Sequence, residues 1–341
     1  MKMAVMGAGS LGTILGALLT KNGYKIDLID VNAAHVKALN EKGAKIIGLL
    51  DLVQPVKALT PDEMTEPYDL IFYLTKSTQD ESALPYVAKY LKPDGIVITG
   101  QNGMPEETLN EVIGKERVLG QITGWGATWI EPGVSKLTSE PDHMTYEIGE
   151  QNGEITDRLK QVAEILSKAG KPRMLTNLIG TRWSKWTSNC CFSGMSAVVA
   201  GTFGDVLDNP HAIRCSAHIL NESMAIAKAA GVTPEPFQGD DYAALAFTTE
   251  KELEANIPGL KACVESHRNI RTGMLYDIEA GRYPEIDTTY NGVQCKLGAK
   301  YGVPTPVNQQ VVDIVHQMAE GKLKIDPANV NLIKLPVLPK E

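Results

Sequence analysis

Lys185, Asn189 and Ser193 recur every four residues within the otherwise largely apolar run "TRWSKWTSNCCFSGMSAVVAG" at 181–201. Residues four apart are neighbours on a helix, so the run predicts a helix with one polar column and core on its other faces. A lysine in such a place is costly unless it has a partner or opens to a cleft. Burial also lowers a lysine's pKa toward neutrality, which suits a general acid that protonates a carbonyl oxygen. The plainer reading is a lysine whose head snorkels to water, with Asn189 tied to backbone. Glu285, in "RYPEIDTTYNG", is the acidic counterpart. Following Pro284, it is expected to open a helix, where a carboxylate is favoured. There it could pair with Lys185 or hold a substrate hydroxyl, or serve only as a helix-start acid.

A second kind of chemistry is signalled near residue 1. "GAGSLG" fits GxGxxG and sits between a strand pattern, "KMAVMGAG", and a helix pattern, "SLGTILGALLTKNG". That context is the one a dinucleotide-binding loop requires. Gly7 would permit the tight turn, Gly9 the approach of a pyrophosphate, and Gly12 close packing of helix on strand. Ser10 and Leu11 open the helix, whose free N–H groups and partial positive charge suit phosphates. A glycine-rich turn with no ligand is the alternative. Asp30 ends the second strand, 18 residues past Gly12. A carboxylate there accepts from ribose hydroxyls and repels a 2′-phosphate, favouring NADH over NADPH; otherwise Asp30 caps the next helix, a role Asn32 could also fill. Lys76 in "LTKSTQ" and Asn102 in "TGQNGMP" follow later strands, at the edge where ligands of such sheets lie. Lys76 would order the cofactor or neutralise phosphate, and Asn102 would bond the nicotinamide side or a substrate oxygen. A solvated lysine and a plain Asn-Gly turn are the alternatives.

These residues need a scaffold that brings them to one edge. The first half alternates "YKIDLID", "AAHVKALNEKG", "YDLIFYLT", "DESALPYVAKYL" and "DGIVITG", strands and helices in turn. That pattern predicts an α/β fold with a Rossmann-type, doubly wound parallel sheet and right-handed crossovers. Short Gly- and Thr-rich strands follow at 118–149, then the helix "EITDRLKQVAEILSKAG" and a last strand, "KPRMLTN". Beyond them the pattern is helical to about Gly321, giving a dinucleotide-binding domain at 1–177 and an all-helical substrate and dimerisation domain at 178–341. Residues 233–258, punctuated by proline, are expected to hold a loop over the surface or cleft, and "LIKLPVLPKE" a tail.

Composition narrows the classes further. At 341 residues, 43% hydrophobic and 22% charged, the chain suits about two soluble globular domains. A net charge of −8 with no basic cluster argues against nucleic acid. Five cysteines, an odd count without CxxC or Cys/His spacing, read as reduced thiols and no metal site. The uncharged runs at 3–20 and 187–204 are broken by Gly, Ser, Thr and Asn, whereas a membrane span needs about 20 mostly apolar residues. A cytoplasmic protein without membrane contact is expected.

Taken in order, "MKMAVMGAGSLG", "LTKSTQ", "QNG", "WSKWTSNC", "MLYDIEAGRYPEID" and "YGVPTPVN" resemble the ketopantoate reductase (2-dehydropantoate 2-reductase) family over nearly the whole chain. The resemblance implies a Rossmann domain joined to a helical one, and reduction of a 2-oxo acid to a D-2-hydroxy acid by a nicotinamide cofactor. It puts the family's catalytic lysine on Lys185 and its substrate-contacting asparagine on Asn189. The glutamate near the substrate hydroxyls falls on Glu285, the cleft lysine on Lys76, and the "NG" asparagine on Asn102. Three positions depart from the pattern. Ser193 stands where a second asparagine is frequent. Gly273, beside Thr272, stands where a serine often meets the substrate carboxylate. Asp30-Val31 replaces the arginine that holds NADP. The first two bear on the substrate, with ketopantoate the leading candidate and a branched or aromatic 2-oxo acid such as benzoylformate the alternative. The third agrees with NADH. A homodimer is the assembly considered, and an NAD(H)-sensing regulator without turnover is the rival of another class.

Overall fold

Alternating apolar runs build the sheet. In the computed structural model, which describes residues 1–341, the first half runs β1 (Met3–Met6), α1 (Ser10–Lys21), β2 (Ile26–Ile29), α2 (Ala33–Lys42), β3 (Ala44–Gly48), β4 (Leu52–Gln54) and β5 (Lys57–Leu59). It continues with β6 (Tyr68–Tyr73), α3 (Asp80–Tyr90), β7 (Leu91–Thr99), α4 (Glu106–Ile113) and β8 (Val118–Thr123). The last elements are β9 (Ala127–Glu131), β10 (Val134–Leu137), β11 (Thr145–Gly149), α5 (Asp157–Leu166) and β12 (Lys171–Leu175). Eight strands form one sheet, ordered β12-β11-β8-β7-β6-β1-β2-β5 and parallel at every pair except β8–β11. Successive side chains of a strand point to opposite faces, and two cores result. Val5, Leu28, Leu70, Phe72 and Ile98 enter one; Ala4, Met6, Ile71, Tyr73 and Val97 enter the other. Burial on both faces is why these strands read as unbroken apolar runs.

A second, four-stranded sheet, β4-β3-β10-β9, packs against α1. Its members β3 and β4, like β5 at the edge of the large sheet, escape the sequence pattern. They are three to five residues long and only partly buried, too short to display a period.

The chain divides into two units, Met1–Leu178 and Ile179–Glu341. The second unit is helical: α6 (Leu178–Asn189), a π-helical turn (Cys190–Gly194), α7 (Met195–Val198), α8 (Phe203–Asp208), α9 (Pro210–Ala230), α10 (Glu250–Val264), α11 (Gly273–Glu279), α12 (Asn291–Tyr301) and α13 (Pro306–Ala319). The 21-residue α9 is its axis, touched by α8, α10, α12 and α13. Asn209 caps α9 by accepting from His211 N and Ala212 N, Pro210 takes the first position, and Gly231 closes it at φ 71°. No helix is long and apolar enough to cross a membrane.

Two segments of this unit are more ordered than their composition suggests. Of residues 233–258, only the first part is loop; α10 begins at Glu250 and carries Pro258 inside it, started by a Thr249–Glu252 capping box. The final segment is anchored: Ile333 is buried, and Pro339 O accepts from Glu250 N at the start of α10.

His218 on α9 yields a pH prediction. It is 4% exposed, lies edge-on to Phe247, and its Nε2 has no hydrogen-bond partner. Burial, seconded by Arg214, pushes its pKa down to about 4. Between pH 6.5 and 4 the unfolded chain therefore binds the extra proton, so this site's contribution falls as pH drops through that window. The slope is about 1.4 kcal/mol per pH unit at most. Thermal melts should fall more steeply from pH 7 to pH 4.5 in wild type than in His218→Phe; equal slopes would refute the assignment.

Candidate functional site

The glycine loop joins β1 to α1. Gly7 adopts φ 95°, a left-handed conformation open chiefly to glycine. Its N–H and that of Ala8 both donate to Ile29 O, at 2.9 Å each, which binds the loop to the end of β2. A Cβ on Gly7 would lie 2.6 Å from Thr75 N, and one on Gly12 only 2.2 Å from Gly7 O and 2.9 Å from Val5 Cγ1. A Cβ on Gly9 would meet no atom within 4 Å. Gly7 and Gly12 thus answer to the protein's own packing, whereas the space beside Gly9 is open. Gly9 also precedes the first turn of α1, whose N–H groups receive no side-chain cap. Open space beside uncapped N–H groups is what a pyrophosphate would need. Ser10 and Leu11 stand half-buried in the same turn.

Asp30 lies one residue beyond β2 and is half-buried. Its Oδ1 accepts from Asn32 N at 2.9 Å, while Asn32 itself caps α2 through Ala34 N and His35 N. Asp30 is therefore not the cap, and its carboxylate stands at the strand end, as a ribose-binding group must. Lys76 is exposed and directly follows Thr75, the residue packed on Gly7. Asn102 is exposed in the turn after β7, with Gly103 at φ 82°. The large sheet thus brings Gly7, Asp30, Lys76 and Asn102 to the C-terminal ends of β1, β2, β6 and β7, four adjacent strands.

Supports invisible in the sequence hold that edge. His35 Nδ1 accepts from Gly133 N at 2.9 Å, so its proton sits on Nε2, which bonds Ala8 O at 2.7 Å; Thr13 Oγ1 donates to the same carbonyl. Under the lip, Asp80 Oδ1 accepts from Tyr73 OH and Gln101 Nε2, both at 2.7 Å. That tie joins the segments bearing Lys76 and Asn102. Neither His35 nor Asp80 belongs to a motif, and only their tertiary neighbours reveal them.

In the helical unit, Lys185 and Asn189 are both half-buried on α6. Buried Trp183 and Trp186 pack edge to face beside them, 5.3 Å apart at 87°. Trp186 Nε1 donates to Thr289 O at 2.7 Å, and Thr289 Oγ1 reaches Glu285 Oε1 at 3.3 Å. The helix of Lys185 is thereby fastened to the segment of Glu285. Contrary to expectation, Glu285 opens no helix: residues 285–289 form a single turn closed by Thr289 N on Glu285 O, and α12 starts only at Asn291.

The regular α-helical spacing of the polar column ends at Asn189: Cys190–Gly194 forms a π-helical turn, and Ser193 within it is 7% exposed. Thr272 is buried and caps α11 by accepting from Met274 N, while Gly273 is exposed with nothing within 4 Å of a would-be Cβ. Cys190 and Cys191 are core: burial raises both thiols well above their ordinary range, where thiolate chemistry is shut off.

The sequence pattern of the family described as Ketopantoate reductase PanE/ApbA matches residues 3–153, and that of Ketopantoate reductase PanE/ApbA C terminal matches 177–319. The 2-dehydropantoate 2-reductase of Archaeoglobus fulgidus is 26% identical over 94% of this chain and 98% of its own. That of Pyrococcus horikoshii is 29% identical over 90% of this chain and 94% of its own. Among solved structures, D-mandelate dehydrogenase with NADH and anilino(oxo)acetate superposes with a TM-score of 0.80 at 23% identity, over 94% of this chain and 99% of the other. A PanE/ApbA family ketopantoate reductase from Ralstonia eutropha gives 0.80 at 22%, over 94% and 99%. At these identities the structural likeness speaks to the fold.

Proposed function

The chain belongs to the ketopantoate reductase family, and from that premise we propose that it reduces the ketone of a 2-oxo acid, with ketopantoate the leading substrate and NADH the preferred cofactor. The observation that carries the reading is the tie from Trp186 to Thr289 to Glu285, which fastens a carboxylate to the helix of a half-buried lysine. Gly9, with the first turn of α1, would hold the cofactor's pyrophosphate, and Asp30 its ribose. When bound, the reduced nicotinamide supplies a hydride. Lys185 hydrogen-bonds the substrate's carbonyl oxygen and delivers the proton that the alkoxide needs. Asn189 and Asn102 orient substrate and cofactor, and Glu285 holds the lysine or a substrate hydroxyl.

A second reading within the same chemistry has an observation of its own. At Gly273 the space beside the helix start is open, where a serine would meet a substrate carboxylate. Together with Ser193 in place of a second asparagine, this favours a branched or aromatic 2-oxo acid as the alternative substrate. The family's S. aureus ketopantoate reductase is described as dimeric, and a homodimer is the assembly proposed here.

One experiment tests substrate and cofactor together. NADH or NADPH is mixed with a panel of 2-oxo acids and its absorbance followed. Ketopantoate should give the highest kcat/KM, and NADH should exceed NADPH by at least about tenfold, or 1.4 kcal/mol. Asp30→Ser should narrow that ratio. A strong NADPH preference would overturn the role of Asp30, and no oxidation with any acid would favour an NAD(H) sensor.

A further inference from the structure

A π turn takes backbone carbonyls away from their usual donors four residues on. After Asn189, two such carbonyls are met by side chains from distant helices. Cys191 O accepts from Ser216 Oγ of α9 at 2.8 Å. Cys190 O accepts at 3.2 Å from Nδ2 of Asn291, the fully buried first residue of α12. The same Asn291 amide donates to Asn308 Oδ1 at 2.8 Å, and Asn308 Nδ2 donates to Glu222 Oε2 at 2.7 Å. Glu222, on α9, also accepts from Val307 N at 2.8 Å and Asn308 N at 3.1 Å, which caps the start of α13.

Polarity is dictated along this chain from one end. An ionised carboxylate only accepts, so Asn308 must turn its NH2 to Glu222 and its oxygen to Asn291. Asn291 then presents both N–H bonds, one to Asn308 and one to Cys190 O. Burial raises the pKa of Glu222, and the three bonds it accepts oppose that rise. A buried network of this kind is costly to leave half-made. Gly194, the last residue of the π turn, touches it as well: a Cβ there would lie 2.2 Å from Asn291 Oδ1.

We propose that Glu222, Asn308 and Asn291 are positioning residues, forming a polar strut that fixes the π turn and so aims Lys185 and Asn189 at the substrate. The inference rests on the proposed roles of Lys185 and Asn189, and no member of the strut touches the reacting atoms. Asn291→Ala removes the strut's contact with the turn. Gly194→Ala, at a position with ordinary helical angles (φ −60°, ψ −48°), pushes the amide aside and leaves Asn291 in place. Each should lower kcat about tenfold or more, the scale of a small misplacement, with KM and NADH affinity within about twofold of wild type. In the Asn291→Ala background, Gly194→Ala should cost nothing more, because the Cβ then has room.

Hydrogen exchange across residues 183–200 should rise in both single variants. Leu253→Ala, a cavity in α10, serves as a destabilised control that leaves kcat and this exchange unchanged. Wild-type kcat and exchange in folded Asn291→Ala would overturn the strut, and if that variant does not fold, the same result in Gly194→Ala overturns it. Should wild type reduce no 2-oxo acid, the functional reading fails, while the exchange comparison still decides the strut.

Discussion

Lys185→Ala should turn over at least about a hundredfold more slowly than wild type, the lower range for loss of a general acid. The assay is kcat at saturating NADH and 2-oxo acid, beside an NADH titration by fluorescence. NADH affinity should hold, because the groups proposed to hold the dinucleotide, Gly9, Asp30 and Lys76, are in the first unit. Packing should survive too, since the core beside the lysine is made by Trp183 and Trp186, which the substitution leaves alone. Lys185→Arg refines the test. Arginine keeps the positive charge but holds its proton at any working pH, so it should recover part of the polarisation of the carbonyl and little of the proton delivery. Near-normal turnover in Lys185→Ala would remove the lysine from the mechanism.

The second large effect separates two glycines that the motif treats alike. Gly12→Ala forces a Cβ to 2.2 Å from Gly7 O, so the backbone must shift; melting temperature and NADH affinity should fall together, with a stability cost of about 1–3 kcal/mol for overpacking. Gly9→Ala meets no protein atom within 4 Å. Its melting temperature should match wild type while NADH Kd rises at least about tenfold, or 1.4 kcal/mol, because the methyl would fill the space proposed for pyrophosphate. Unchanged NADH affinity in Gly9→Ala would refute the cradle.

Much of this site is legible because its signals are local. The glycine loop is a six-residue problem in sterics: Gly7 makes the tight turn and Gly12 the close packing that spacing suggests, and the space beside Gly9 is open. The strands of the large sheet are legible for a similar reason: buried on both faces, they are uniformly apolar. What fails to show is decided at a distance. Pro284 and Glu285 imitate a helix start, yet the chain makes one turn and stops, its Thr289 carbonyl claimed by Trp186, 103 residues away in sequence. "CCFSG" carries no mark of a π turn, because that geometry depends on Ser216 and Asn291 meeting the released carbonyls. His35 looks like an ordinary helix residue until Gly133 fixes its tautomer and aims Nε2 at the glycine loop.

The π turn amounts to one residue inserted into an α-helix, and each α-helical residue advances the side chains by about 100°. The segments on its two sides are therefore set in independent phase. Lys185 and Asn189 on the first segment are half-buried, whereas Met195–Val198 on the second lie wholly in the core of the unit. Deleting a single residue between 190 and 194 would join the two into one continuous helix and swing Lys185 about a quarter of a turn relative to α7.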